Sequence, residues 1–275
     1  MVARVSRATK ALIAKTFAQL DYKTLGRVYC YEGGDEFWHA RRKPSQRLGI
    51  KVAEALLNKV LVGGRSLYIG AGVGELPSLL AEACERQRHV EPYNLRRLEV
   101  AALNRACRTL PVSFRARDAA TARGTFDHLW IVSVLNDPER FPNLSPLSYG
   151  QADPVTFNAR RFQKERKIVQ SIVNRCMPKL SLPGLVTTTT EEVVWIAEWC
   201  HRKKIPYLVE REQHPTALVG DPICFMRIGG TGSKVGKFLR CNVRRGPLNF
   251  GTFNLHTLKP TFFPESVRYW REYFT

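Results

Sequence analysis

An α/β fold built on a mostly parallel sheet is what this 275-residue sequence predicts, and three observations carry it. A short apolar run, Ser66-Leu67-Tyr68-Ile69, feeds Gly70-Ala71-Gly72-Val73-Gly74, and a helical pattern starts directly afterwards. Strand and helix patterns alternate from residue 48 to 229, the mark of parallel strands joined by helical crossovers. Two short β-rich runs, 206–212 and 222–228, close the alternation as an antiparallel pair. Together these predict seven strands with helices on both faces.

Residues 1–44 read as a basic N-terminal extension. Its first 20 residues interleave Leu12, Ile13, Phe17 and Leu20 with Arg4, Arg7, Lys10 and Lys15, an amphipathic basic helix. Organelle transit peptides have the same composition, but a structural or binding helix in a cytoplasmic protein is the expectation. Ser45 fits the N-cap of a helix reaching Val60, with Leu48, Val52, Ala55 and Leu56 at helical spacing. Gly63-Gly64 ends that helix before the first strand.

The glycine turn makes a cradle. Glycine permits the sharp turn and close approach of a ligand, and the free N–H groups of the next helical turn face it. Spacing excludes two ligands. A dinucleotide G-x-G-x-x-G would need glycine at 75, where Glu75 stands, and a P-loop would need Lys-Ser/Thr after the last glycine. A helix at 77–84 and a strand at 88–90 follow, ending at Glu91, placed to accept hydrogen bonds from two ribose hydroxyls. A helix at 95–107 leads to a strand at 112–116, then Asp118-Ala119. The strand 126–135 ends in Asn136-Asp137-Pro138. Prolines at 138, 142, 146 and 154 predict an irregular lid over 137–156, leaving the carboxyl end of a parallel strand where ligands bind. A helix at 157–177, a strand at 185–190 and a helix through Trp199 complete the alternation.

The order of G-x-G-x-G, Glu91, Asp118 and the Phe126-Asp127 opening of the fourth strand resembles the class I S-adenosylmethionine (SAM) methyltransferases over residues 48–229. The resemblance implies a Rossmann-like sheet with SAM as cofactor. Gly70, Ala71, Gly72 and Gly74 would line its methionine and ribose, Glu91 its ribose hydroxyls, and Asp118 with Ala119 its adenine. Tyr68 stands where many members carry an acid, and Asn136-Asp137-Pro138 replaces the Asn/Asp-Pro-Pro-Tyr of amino-methylating members. Asn136 and Asp137 are the candidate catalytic residues. Tyr149 and His39 are candidates to reach the same cleft.

The seven cysteines are scattered without a C-x-x-C pair, so neither a metal site nor a disulfide framework is expected. No apolar run is long enough to span a membrane. Net charge is +19 and uneven. Residues 1–60 carry 12 Lys/Arg against 5 Asp/Glu, and residues 227–275 carry 9 against 2. That excess points to a polyanionic partner, RNA, met by the two extensions. The tail adds aromatics such as Phe238, Phe250 and Phe253 among its Arg and Lys. The expected organisation is a basic extension (1–44), a SAM-dependent methyltransferase-like domain (45–229) and a basic aromatic extension (230–275). The function this implies is SAM-dependent methylation of RNA, with ribosomal RNA as a candidate substrate. An inactive methyltransferase-like RNA-binding or assembly module is the alternative. Transfer of another SAM-derived group to a small amine ranks last, because a basic chain suits a cationic substrate poorly.

Overall fold

The computed structural model describes residues 3–29, 34–148, 157–218, 220–230 and 238–240. Three helices precede the sheet: α1 (Arg7–Gln19), α2 (Tyr22–Tyr29) and α3 (Gly34–Leu57). The alternation then runs β1 (Arg65–Ile69), α4 (Leu76–Glu85), β2 (His89–Tyr93), α5 (Arg97–Ala106), β3 (Phe126–Ile131), α6 (Ser145–Ser148) and α7 (Ala159–Cys176). It ends with β4 (Leu180–Thr189), α8 (Val193–Lys203), β5 (Tyr207–Glu210), β6 (Ile223–Ile228) and the short β7 (Phe238–Arg240).

The sheet is mixed, in the order β2-β1-β3-β4-β6-β5-β7. β2, β1, β3 and β4 pair in parallel, whereas β6 and β5 add as an antiparallel hairpin and β7 pairs antiparallel with β5. The segment 112–116, expected as a strand, makes only the single bridge Tyr93–Arg115. Proline explains this. Pro92 has no N–H to continue a ladder on that side, although its carbonyl accepts from Arg115 N at 2.9 Å. Six strands therefore come from the expected 45–229 domain, and β7 comes from beyond it.

Side chains alternate across the strands into two cores. Tyr68, Trp130 and Phe225 face the layer holding Phe17, Leu25, Trp38, Leu56 and Leu79. Leu67, Ile69, Leu129 and Ile131 face Val169, Val173, Ile196 and Trp199 of α7 and α8. The N-terminal extension is thus part of the domain, since Ile13 and Phe17 are fully buried in the first core. Ser45 is not an N-cap. Helix α3 begins eleven residues earlier and continues through Pro44, its first half held by Trp38 against Tyr22 and Tyr29 at 5.7 and 5.2 Å between ring centroids. The domain boundary expected at residue 44 falls inside this helix.

A buried carboxylate joins the elements. Glu82 of α4 accepts from Tyr68 Oη (2.6 Å), Arg88 Nε (2.7 Å) and Ser66 Oγ, and lies 2.9 Å from His128 Nδ1. His128 Nε2 contacts Thr187 Oγ1 at 2.8 Å, carrying the network to β4. Arg88 also donates to Asp127 and to the carbonyls of Gly63 and Leu61. Burial alone would raise the Glu82 carboxyl, but His128 and the Ser66 and Tyr68 hydroxyls hold it down at about 2. Its contribution to stability is therefore complete above the ordinary carboxylate value and fades as pH falls toward 2. Replacing Glu82 by Leu leaves Arg88 and two hydroxyls without their buried acceptor. Urea unfolding at pH 7 should show a loss of about 3–5 kcal/mol. A loss under about 1 kcal/mol would contradict this role.

Candidate functional site

A cavity of about 530 Å³ opens over the carboxyl ends of β1, β2 and β3. That size suits a nucleoside-sized ligand. Its floor is the glycine turn. Gly70 sits at φ +74°, and a Cβ there would stand 2.6 Å from Val134 Cγ2, so glycine is required on both counts. Ala71 is tied to the end of β2 through its N–H to Tyr93 O (2.9 Å), and its carbonyl accepts from Asn94 Nδ2 (2.8 Å).

Two carboxylates crowd this turn. Gly72 N donates to Glu75 Oε2 at 2.8 Å. Glu99, at the start of α5, accepts from Tyr29 Oη at 2.5 Å and Asn94 Nδ2 at 3.0 Å. A Cβ on Gly72 would fall 2.5 Å from Glu99 Oε1 and 2.6 Å from Tyr29 Oη. Burial pushes the Glu75 carboxyl up to about 7, with the Glu99 charge adding to the shift. Burial likewise raises the Glu99 carboxyl. Tyr29 belongs to the N-terminal helices, which therefore wall this cavity, with Gly49 and Val52 of α3 beside it.

Gly70, Gly74, Asp118 and Ala119 line the cavity. Ala71, fully buried, and Gly72 lie in the same turn. Asp118 caps the turn at 119–121 through Ala120 N (2.8 Å) and pairs with Arg175 at 2.7 Å. Asp137 also lines the cavity, where Oδ1 accepts from Glu139 N at 3.0 Å and Oδ2 lies 3.8 Å from Arg96.

Two site residues are placed elsewhere. Glu91 lies mid-strand and does not line the cavity. Its carboxylate is held by Arg65 (2.6 Å) and Arg115 (2.7 Å), which pull it below the ordinary range against burial. β2 continues to Tyr93, so the residue at its carboxyl end is Asn94. Asn136 is fully buried and donates to Asp221 Oδ2 at 2.7 Å, away from the cavity. The chain turns between the end of β3 and Asn136, with Ser133 at φ +54° and Glu192 accepting the amides of Ser133, Val134 and Leu135. His39 is exposed on α3, and Tyr149 lies outside the described residues. Tyr29, Asn94 and Glu99 escape the sequence reading. Only Asn94 had a local signal, three residues past Glu91 at the edge of the glycine turn's reach. Among the described residues no group of three or more His, Cys, Asp or Glu could hold a metal, and no helix is long and apolar enough to cross a membrane.

No protein-family model matches the sequence, and no curated protein matches it. Among solved structures, the chain is similar to magnesium protoporphyrin IX methyltransferase of Synechocystis PCC 6803 with bound SAM. Identity is 13%, covering 82% of this chain and 99% of that one, with TM-score 0.47. It is also similar to a ribosomal protein L11 methylase of Lactobacillus delbrueckii (10%, 70% and 81%, TM-score 0.41). A third is a tRNA methyltransferase of M. jannaschii (10%, 66% and 50%, TM-score 0.40). The parallel β2-β1-β3-β4 half, the antiparallel β6-β5 pair and the glycine turn closing β1 make a Rossmann-like α/β sheet, the architecture that the sequence resemblance implies.

Proposed function

We propose that the chain binds SAM in this cavity and methylates RNA. The observation that carries the cofactor is the acidic glycine turn. Glu75 already occupies the Gly72 amide, and Glu99 lies directly beneath it. A diphosphate brought to this turn would meet two carboxylates and an engaged amide. A cationic ligand, with its sulfonium and ammonium groups, meets complementary charge. Glu75 and Glu99 thereby supply the acid that Tyr68 does not, since Tyr68 is buried and directed to Glu82. Asn94 replaces Glu91 as the polar group nearest the ribose, and Asp118 with Ala119 takes the adenine end.

Bound SAM supplies an electrophilic methyl group on a sulfonium. The chain's own contribution is orientation and exclusion of water. Gly70 and Gly72 let the backbone come close, Tyr29 and α3 wall the cavity from the N-terminal side, and Glu192 fixes the turn leading to Asp137. Asp137, which lines the cavity beside Glu139, is the group assigned to take an acceptor's proton. The RNA half of the reading rests on charge, +19 over 275 residues. The inactive RNA-binding module keeps one observation in its favour, the engagement of Asn136 with Asp221 rather than with the cavity.

Calorimetric titration separates the two readings. SAM should bind one per chain, with affinity rising about tenfold from pH 6 to pH 8 as Glu75 loses its proton near 7. Glu75→Gln should weaken binding by about 1.5–3 kcal/mol and flatten the pH profile. Glu91→Ala should leave SAM affinity within about twofold of the parent, because its partners are Arg65 and Arg115. No heat of binding at either pH would establish the inactive module instead. With labelled SAM and total RNA, Asp137→Asn should lower methyl transfer by roughly 10²–10⁴-fold while keeping SAM affinity. Unchanged transfer would remove Asp137 from the chemistry.

A further inference from the structure

Helix α7 carries the densest positive charge among the described helices, with six Lys/Arg against Glu165 alone in 18 residues. The geometry divides them. Val169, Val173 and Cys176 bury one face in the core. Glu165 turns to the 143–144 turn, where it accepts from Asn143 Nδ2 at 2.6 Å. Arg166 lies beside Glu198 of α8 at 3.9 Å. Arg160, Lys164 and Lys167 recur at helical spacing on the opposite, exposed face and have no ion-pair partner among the described residues. One turn beyond Ser171 the same side reaches Arg175, which lines the cavity and pairs with Asp118. At 1.5 Å per residue, the row from Arg160 to Arg175 runs about 22 Å along the helix.

This arrangement is unfavourable for the helix alone. Arg160 and Arg161 stand in the first turn, where the helix dipole favours acids. Arg160/Lys164 and Lys164/Lys167 are like-charge neighbours at i,i+4 and i,i+3. A second feature lies at the row's outer end. Phe157 is 38% exposed and its ring sits 5.6 Å from that of Phe162. An exposed aromatic leading a row of cations is the combination that holds single-stranded nucleic acid, by base stacking and phosphate contact. A membrane surface fits worse, because the apolar face of α7 is already buried.

We propose that the outward face of α7, from Phe157 through Arg160, Lys164 and Lys167, is the track along which single-stranded RNA reaches the cavity. This rests on the RNA half of the function proposed above. It also moves the main contact from the terminal extensions to the domain itself.

The test uses the full chain and a fluorescein-labelled 20-nucleotide single-stranded RNA of mixed sequence, with anisotropy read from 50 to 200 mM KCl. The triple variant Arg160→Gln, Lys164→Gln, Lys167→Gln should lower the slope of log affinity against log salt by about 2, at about 0.7 per lost contact. The charge-matched variant Arg4→Gln, Arg7→Gln, Lys15→Gln, whose side chains are exposed at the N-terminus, should change it by less than about 0.7. Phe157→Ala should weaken binding roughly five- to hundredfold with the slope unchanged. Equal slopes for the two triples, no binding of this RNA by the parent, or tighter binding to phosphatidylserine vesicles than to RNA would each overturn the track. SAM titration of the same proteins keeps the readings apart. Loss of the RNA slope with no SAM binding in the parent upholds the track and sinks methyl transfer. Normal SAM binding with an unchanged RNA slope sinks the track alone.

Discussion

The Glu82 carboxylate is the constraint on which the site depends. It sits on α4, the helix that starts where the glycine turn ends, and it receives Tyr68 and Ser66 of β1, Arg88 ahead of β2 and His128 of β3. One buried charge therefore fixes the helix, both strands that flank the turn and the approach to the second strand. Arg88 completes the arrangement by donating to Asp127 and to the carbonyls that close α3 into β1. Removing one member of such a network is costly, but replacing all its charged members together by apolar side chains would lose little net stability. Its effect is on register: α4 has one position in which all the donors reach the carboxylate.

With α4 and β1 fixed, the turn between them is held from the other side by Asn94 and Glu99. Asn94 bridges the end of β2 to Ala71, and Glu99 reaches Tyr29 on α2. The N-terminal helices thereby belong to the cavity, although their sequence reads as an appended basic arm. The same contacts leave two carboxylates at the one place where a nucleotide phosphate would otherwise dock. On the proposed reading, charge at the turn, more than its glycine spacing, favours a cationic cofactor over a phosphorylated one.

Much of this was legible in the chain. Gly70 and Gly72 are demanded by φ and by close contacts, and strand-turn-helix order survives in sequence because it is local. Asp118 lies at the cavity by the same local order. Glu91 misled because Pro92 reads as a strand breaker. β2 is the edge of the sheet, however, where a missing N–H is tolerated, and the strand runs on to Tyr93. Asn136 misled because β3 stops at Ile131 and the following turn is shaped by Glu192, 56 residues later in the chain. Tyr29 and Glu99 meet only through tertiary packing, so no sequence period exposes them. Ser45 looked like an N-cap, whereas packing around Trp38 carries α3 through it and through Pro44.

On the function proposed above, the acidic turn and the basic outer face of α7 would set opposite charge at the cofactor floor and along the approach to it, as joining a cationic donor to a polyanionic acceptor requires. The most direct measurement is a crystal structure of the complex with SAM. The account predicts the methionine ammonium near Glu75 and Glu99, the ribose beside Asn94 and the adenine against Ala119, with Glu91 still paired to Arg65. SAM density outside this cavity, or a ribose bound by Glu91 with Asn94 turned away, would contradict it.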